Sequence, residues 1–343
     1  MVGSGATEAC EPRQVRKEAT VSSNFRVPPG RLAGAGDGRS AGGPVQRWVH
    51  GHQFFSRQVA TSLRSETINL LARHGLLARK ALGQHFLIDE RVRQAILRTG
   101  EFGPEDVVLE IGPGLGTLTE GLLRAGSRVV AVEIDPGMVR VLTERFGGNP
   151  RLKVIQADIL NYPFEEEVGP VYKVAGNLPY NVATAILERV LSSRCPPQLS
   201  IVMLQLEVAR RVAARPGNAA YLTWLVRFYA EPTIVMKVPP RAFWPPPKVY
   251  SAVVKLVRRQ PPQVDSPEAF FRFLQAGFAQ PRKQLRNSLA DGLRRPPTET
   301  AAILEKAGID PRRRPADLGL EEWLKIYRVY REYGFAHPGP GEG

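Results

Sequence analysis

Cysteine is almost missing from this chain. Two residues, Cys10 and Cys195, in 343 can close at most one bridge. A disulfide-framed fold is therefore not expected, and a reducing compartment is the default. Five scattered histidines add no ligand spacing to the cysteines, so no metal site is expected. No apolar run approaches the roughly 20 residues that span a bilayer, and the N-terminus lacks the apolar stretch of a secretory signal. Acidic residues are also in short supply, 33 against 47 Lys and Arg, which leaves a formal net charge of +14. Such an excess favours a polyanionic partner, because Lys and Arg neutralise phosphates and release counterions. It does not name the polyanion, since an anionic membrane surface attracts the same charge.

The length suggests two domains. Residues 1–64 are dominated by Gly, Ser, Arg and Pro, as in Val27-Pro28-Pro29-Gly30-Arg31, and hold no periodic apolar pattern. They are expected to form a disordered N-terminal extension. An organellar transit peptide is poor in acids, whereas Glu8, Glu11 and Glu18 fall near the start. A cytoplasmic location is the expectation, with organellar import the lesser reading.

From Ser65 the pattern becomes regular. Strands are expected at Val107–Ile111, Arg128–Ile134, Leu152–Ala157, Val171–Ala175 and Ser200–Leu204. Helical stretches at Thr117–Ala125, Pro136–Phe146 and Ala183–Leu191 fall between them. Alternation of this kind implies a parallel sheet with helices on both faces, an α/β fold. Thr233–Val238 and Val249–Val257, joined by the proline-rich Pro239–Pro247, read as a closing hairpin. After Gln260 the pattern turns helical, with Ser266-Pro267 supplying a hydroxyl cap and a first-turn proline. The expected division is a nucleotide-binding α/β domain over 65–259, a small all-helical domain over 260–334 and a tail over 335–343.

Four motifs sit at the ends of the expected strands. Glu110-Ile111-Gly112-Pro113-Gly114-Leu115-Gly116-Thr117 follows the first strand, and glycines there allow a tight turn and close backbone approach to a ligand. A dinucleotide dehydrogenase has a similar turn but wants Gly or Ala where Thr117 stands. Glu133 ends the second strand, where a carboxylate can accept from both hydroxyls of a ribose. Asp158, ending the third, can accept from the amino group of an adenine, although Asp is also a common turn residue. The fourth strand leads into Gly176-Asn177-Leu178-Pro179-Tyr180. An exocyclic adenine amine is a poor nucleophile because its lone pair is delocalised into the ring. Asn177 can accept one amino hydrogen and the Leu178 carbonyl the other, with Pro179 fixing the backbone. Tyr180 offers a flat face for a base taken out of its stack. No histidine stands beside this motif in the sequence, so no general base is expected for the amine.

The stretch from Ser65 to about Tyr333 resembles the ribosomal RNA adenine dimethyltransferase family. Lys80 to Leu87 resembles its cofactor lid, Phe243 to Val249 its substrate-side loop, and Arg282 to Leu289 the basic motif opening its helical domain. Asn177-Leu178-Pro179-Tyr180 and Pro245-Pro246-Pro247 resemble the bacterial small-subunit branch rather than the Erm enzymes, which act on the large subunit. The resemblance implies a Rossmann-like class I methyltransferase sheet with S-adenosylmethionine as cofactor, held by His85, Leu87, Gly112, Gly114, Gly116, Glu133, Asp158 and Asn177. It implies Asn177, Leu178, Pro179 and Tyr180 as the catalytic motif. Arg282, Lys283 and Arg286 are expected on RNA phosphates, with a solvated helix face as the competing reading. The implied reaction is N6 dimethylation of two adjacent adenosines in the 3′-terminal hairpin loop of the 16S rRNA. The implied partner is the immature 30S subunit, with the enzyme acting as a monomer. Tyr250, Pro281 and Leu222-Thr223 depart from the family pattern. A non-catalytic RNA-binding factor on the same fold would be expected to lose Asn177 or Glu133, and both are present.

Overall fold

The computed structural model describes residues 62–333. Most of the expected extension, and the tail after Tyr333, lie outside the described residues. Order begins slightly earlier than expected, with helix α1 at Leu63–Arg73 and the Ser62 hydroxyl capping it by accepting from the Ser65 N–H. Helix α2 follows at Glu90–Gly100, capped by Asp89.

Short runs of β-branched and aliphatic residues build a seven-stranded sheet: β1 (Val107–Ile111), β2 (Arg128–Glu133), β3 (Leu152–Gln156), β4 (Lys173–Asn177), β5 (Leu199–Gln205), β6 (Ala230–Val238) and β7 (Ser251–Arg258). Their spatial order is β3-β2-β1-β4-β5-β7-β6. The first five are parallel, and β7 and β6 close the sheet antiparallel. The expected hairpin is present, with β7 as its inner strand.

The parallel strands are covered on both faces, so their residues alternate between two cores rather than between core and water. Leu109, Ile111, Val130, Val132 and Val174 face one cluster. Val108, Val129, Ala131 and Ala175 face another, beneath Leu122 and Leu123 of α3 (Thr117–Arg124). Helix α4 (Pro136–Phe146) follows β2 and is capped by Asp135, whose carboxylate accepts from the Gly137 N–H at 2.8 Å. A single turn, α5 (Glu165–Val168), precedes β4, and α6 (Ala183–Leu191) follows it.

The helices not anticipated include α2, α5, α7 (Leu206–Val212) and α8 (Tyr221–Tyr229). Seven of the nine residues of α8 are buried, so it has no polar stripe to betray a helical period. Its Phe228 ring stacks on Phe270 of α9 (Pro267–Gly277) with centroids 5.6 Å apart. Phe270 in turn meets Tyr327 edge-on, and Phe273 meets Tyr330. Through these rings α12 (Leu320–Glu332) joins the core of the sheet's larger face, and α10 (Leu285–Leu293) and α11 (Pro297–Lys306) join it through Leu285, Leu289, Ile303 and Leu304. Ser266 caps α9 as its sequence implies, accepting from the Ala269 N–H at 3.1 Å.

The departures from the family pattern are accommodated. Leu222 is buried, and the Thr223 hydroxyl donates to the Arg211 carbonyl. The Tyr250 ring lies under the Lys237 ammonium, 3.9 Å from its centroid, a cation–π contact. Among the described residues no helix is long and apolar enough to cross a membrane.

Candidate active site

β1 pairs with β2 on one side and β4 on the other, so the connections diverge at its carboxyl end. In open α/β sheets the crevice at such a switch point is where ligands bind. A cavity of about 290 Å³ opens there. His85, Leu87, Gly112, Gly114, Glu133, Asp158, Asn177 and Pro179 all line it. Gly116, Leu178 and Tyr180 stand just outside that lining. Gly116 is the left-handed N-cap of α3, and a Cβ there would lie 2.5 Å from the Phe146 ring. Its role is to let α3 and α4 approach.

The glycine turn and Glu133 are one unit. Glu133 is 5 % exposed, and its two carboxylate oxygens accept from the Gly114 N–H at 3.0 Å and the Asp135 N–H at 2.9 Å. Burial raises its pKa against the pull of those backbone donors. Each oxygen keeps a lone pair for a further donor. Asp158 is used locally, its oxygens accepting from the Leu160 N–H and the Asn161 amide.

Two buried side-chain oxygens in the cavity wall have no partner among the described residues: Glu110 Oε1 and Asn177 Oδ1. The other Glu110 oxygen accepts from the Thr119 hydroxyl at 2.7 Å. Complete burial pushes the Glu110 carboxyl up to about 8. With its carboxyl protonated near neutral pH and its other oxygen accepting from Thr119, Glu110 Oε1 is a donor, whereas Asn177 Oδ1 can only accept; a buried polar atom of either kind is costly to leave unpaired. Asn177 Oδ1 fits an amino group of a ligand.

The Asn177–Tyr180 segment is held from below and above. Gly176 lets β4 close on β1, since a Cβ there would stand 2.7 Å from the Ile111 carbonyl oxygen. The Leu178 N–H donates to the Met203 carbonyl. Tyr180 shares a 2.5 Å hydrogen bond with the Ser251 hydroxyl of β7. From above, the lid folds over the end of β4. Phe86 and Leu87 pair antiparallel with Trp244 and Phe243, and the Gln84 amide donates to Asp135 at 2.9 Å.

Sequence adjacency was misleading here. No histidine neighbours Asn177–Tyr180 along the chain, but the lid brings His85 onto the motif, its ring stacked 5.5 Å from that of Tyr180. Gln84, Asp135 and Glu110 carry structural work at the cavity that no strand-end rule singles out.

The basic motif lies elsewhere, before and within α10. Arg282, Lys283 and Arg286 are all exposed, and Lys283 pairs with Asp291 at 2.9 Å.

The fold order, the glycine turn beneath the cavity and the acidic strand end define a class I S-adenosylmethionine-dependent methyltransferase. The family model of ribosomal RNA adenine dimethylases matches residues 75–332. The ribosomal RNA small subunit methyltransferase A of Dehalococcoides mccartyi is 42 % identical over 275 residues, covering 79 % of this chain and 94 % of that one. The same-named protein of Moorella thermoacetica is 40 % identical over 278 residues, covering 77 % and 96 %. The crystal structure of the 23S rRNA methyltransferase ErmE is 30 % identical with a TM-score of 0.55, covering 71 % of this chain and 98 % of that chain. A dimethyladenosine transferase from Plasmodium falciparum, at 24 % identity and a TM-score of 0.64 over 73 % of this chain and 99 % of that one, shares the fold. The chain belongs to the ribosomal RNA adenine dimethylase family, and its reaction is S-adenosylmethionine-dependent dimethylation of adenine in ribosomal RNA.

Proposed function

We propose that the substrate is the small-subunit rRNA, at two adjacent adenosines of its 3′-terminal hairpin loop, each methylated twice at N6. The enzyme acts in the cytoplasm as a monomer on the immature 30S subunit. Relatives at about 40 % identity named for the small subunit support this choice. The basic balance of the chain suits an RNA partner. Arg282, Lys283 and Arg286 supply phosphate contacts from the helical region over 260–334.

The observation that carries the catalytic reading is the buried, unpartnered Asn177 Oδ1 in the cavity wall. This oxygen accepts one hydrogen of the adenine amine, and the Leu178 carbonyl accepts the other. Two acceptors draw the nitrogen toward a tetrahedral shape and free its lone pair. Pro179 fixes the backbone between them, and Tyr180 stacks the base. S-adenosylmethionine supplies a methyl group activated by its sulfonium. Glu133 holds the ribose hydroxyls, Asp158 the cofactor's adenine amino group, and Gly112, Gly114, His85 and Leu87 shape the remaining wall. Alignment and acceptors matched to the charge developing on nitrogen do the catalytic work. The nitrogen's proton becomes acidic only after the new bond forms, so water takes it.

The test is incubation with labelled S-adenosylmethionine and three substrates: under-methylated small subunits, naked small-subunit rRNA and large subunits. Label confined to two neighbouring adenosines near the 3′ end of the small-subunit RNA is expected. Label in large-subunit RNA would favour an Erm-like specificity instead.

A further inference from the structure

Asn177 can carry out its assigned task in only one of two orientations. Turned by 180° about its last torsion, the amide would aim its NH₂ group at the cavity and oppose an amine with another donor. A single contact breaks this symmetry. Asn177 Nδ2 donates to the backbone carbonyl of His85 at 2.8 Å, which leaves Oδ1 as the atom in the cavity wall. The catalytic amide is therefore oriented by the lid and not by its own strand.

The ring of the same residue, His85, is itself anchored. Its Nδ1 lies 2.7 Å from the Pro245 carbonyl, which can only accept, so Nδ1 carries the hydrogen. The ring also stacks on Tyr180. Pro245 belongs to the loop that resembles the family's substrate-side loop. Around it, Phe86 and Leu87 pair with Trp244 and Phe243, and the Ile88 N–H donates to the Ala242 carbonyl at 2.8 Å. One residue thus touches the lid, the substrate-side loop, the stacking tyrosine and the catalytic amide.

We propose that His85 is a positioning residue. By pinning the lid to Pro245 through its ring, it holds Asn177 in the accepting orientation, so the methylation step becomes competent only when lid and substrate-side loop are clasped. This inference rests on the reading of Asn177 as the amine acceptor. It adds to the contact His85 makes with the cofactor cavity a role that depends on the Nδ1 donor. Asparagine can replace that donor, because its Nδ2 stands the same number of bonds from the backbone. Phenylalanine keeps a stacking ring and loses the donor.

The experiment compares His85→Asn, His85→Phe and His85→Ala with Asn177→Ala. Single-turnover methylation of under-methylated small subunits at saturating S-adenosylmethionine reads the chemical step. Calorimetry with S-adenosylhomocysteine reads the cofactor site. Nitrogen-15 spectra of the side-chain amides read the exchange protection of Asn177 directly. His85→Phe and His85→Ala should lose about tenfold in single-turnover rate, the scale of one hydrogen bond. The Asn177 amide should lose protection in both, and the rate should fall further than S-adenosylhomocysteine affinity does. His85→Asn should recover most of the rate and the protection. Equal rates in His85→Phe and His85→Asn, or a rate loss matched by an equal loss of S-adenosylhomocysteine affinity, would overturn the inference. A wild-type rate in Asn177→Ala would instead overturn the underlying reading.

Discussion

Tyr180 and Ser251 share a 2.5 Å hydrogen bond between β7 and the loop after β4, and Ser251 has no exposed surface. Tyr180, the residue proposed to stack the base, is thus fastened at its far end to the antiparallel half of the sheet. Tyr180→Phe keeps the flat face and leaves the Ser251 hydroxyl without this partner. Turnover should fall only a few-fold, while stability falls by about 1–3 kcal/mol, the cost of an orphaned buried group. Urea denaturation measures the second quantity. Tyr180→Ala removes the face as well and should abolish most turnover.

Glu133 ties the glycine turn to α4 as well as facing the cavity. Glu133→Ala should weaken S-adenosylmethionine binding by about 1–3 kcal/mol, the range for hydrogen bonds to a charged group. Calorimetry on the isolated enzyme measures it. Unchanged affinity would remove Glu133 from the site.

Glu110 brings a pH dependence. Its carboxyl is raised from 4.5 to about 8 by burial, so between those values the folded protein holds a proton that the unfolded chain has released. The native state binds more protons there, and this group's contribution to stability falls as pH rises from about 4.5 to 8, then levels off. Glu110→Gln removes the term while keeping an oxygen for Thr119. The stability difference between variant and wild type should therefore grow in the variant's favour across that window. A difference independent of pH would mean that Glu110 is ionised throughout.

Arg282, Lys283 and Arg286 are exposed, and the Lys283–Asp291 pair is half solvated, so it adds little to the fold. Neutralising one of the three should leave the melting temperature nearly unchanged. It should weaken rRNA binding and reduce the slope of log affinity against log salt by about 1. An unchanged slope in the triple variant would assign these residues to a solvated helix face.

The sheet was legible because its strands are short apolar runs punctuated by Gly, Pro and Asp, and because strand ends in this topology carry function. Val107–Ile111, Glu133 and Asn177 could be placed from that rule alone. Helix α8 could not, since burial on nearly all sides erases the polar stripe that marks a helical period. Nor could the clasp. His85 meets Pro245 across 160 positions of sequence and Asn177 across 92, and neither contact leaves a local pattern. No histidine adjoins Asn177–Tyr180 along the chain, and for that reason the sequence does not show that His85 reaches it in space. Gly176 had a signal that was not used: a glycine inside a strand often marks a close backbone approach.

The central claim is that Asn177 accepts the target amine, and its most direct test is Asn177→Ala in single turnover on under-methylated small subunits, with S-adenosylhomocysteine affinity measured alongside. The rate should fall by about 100-fold or more, as expected for removing an acceptor aligned with developing charge, while affinity stays within a few-fold of wild type. A near-normal rate in the variant would contradict the account.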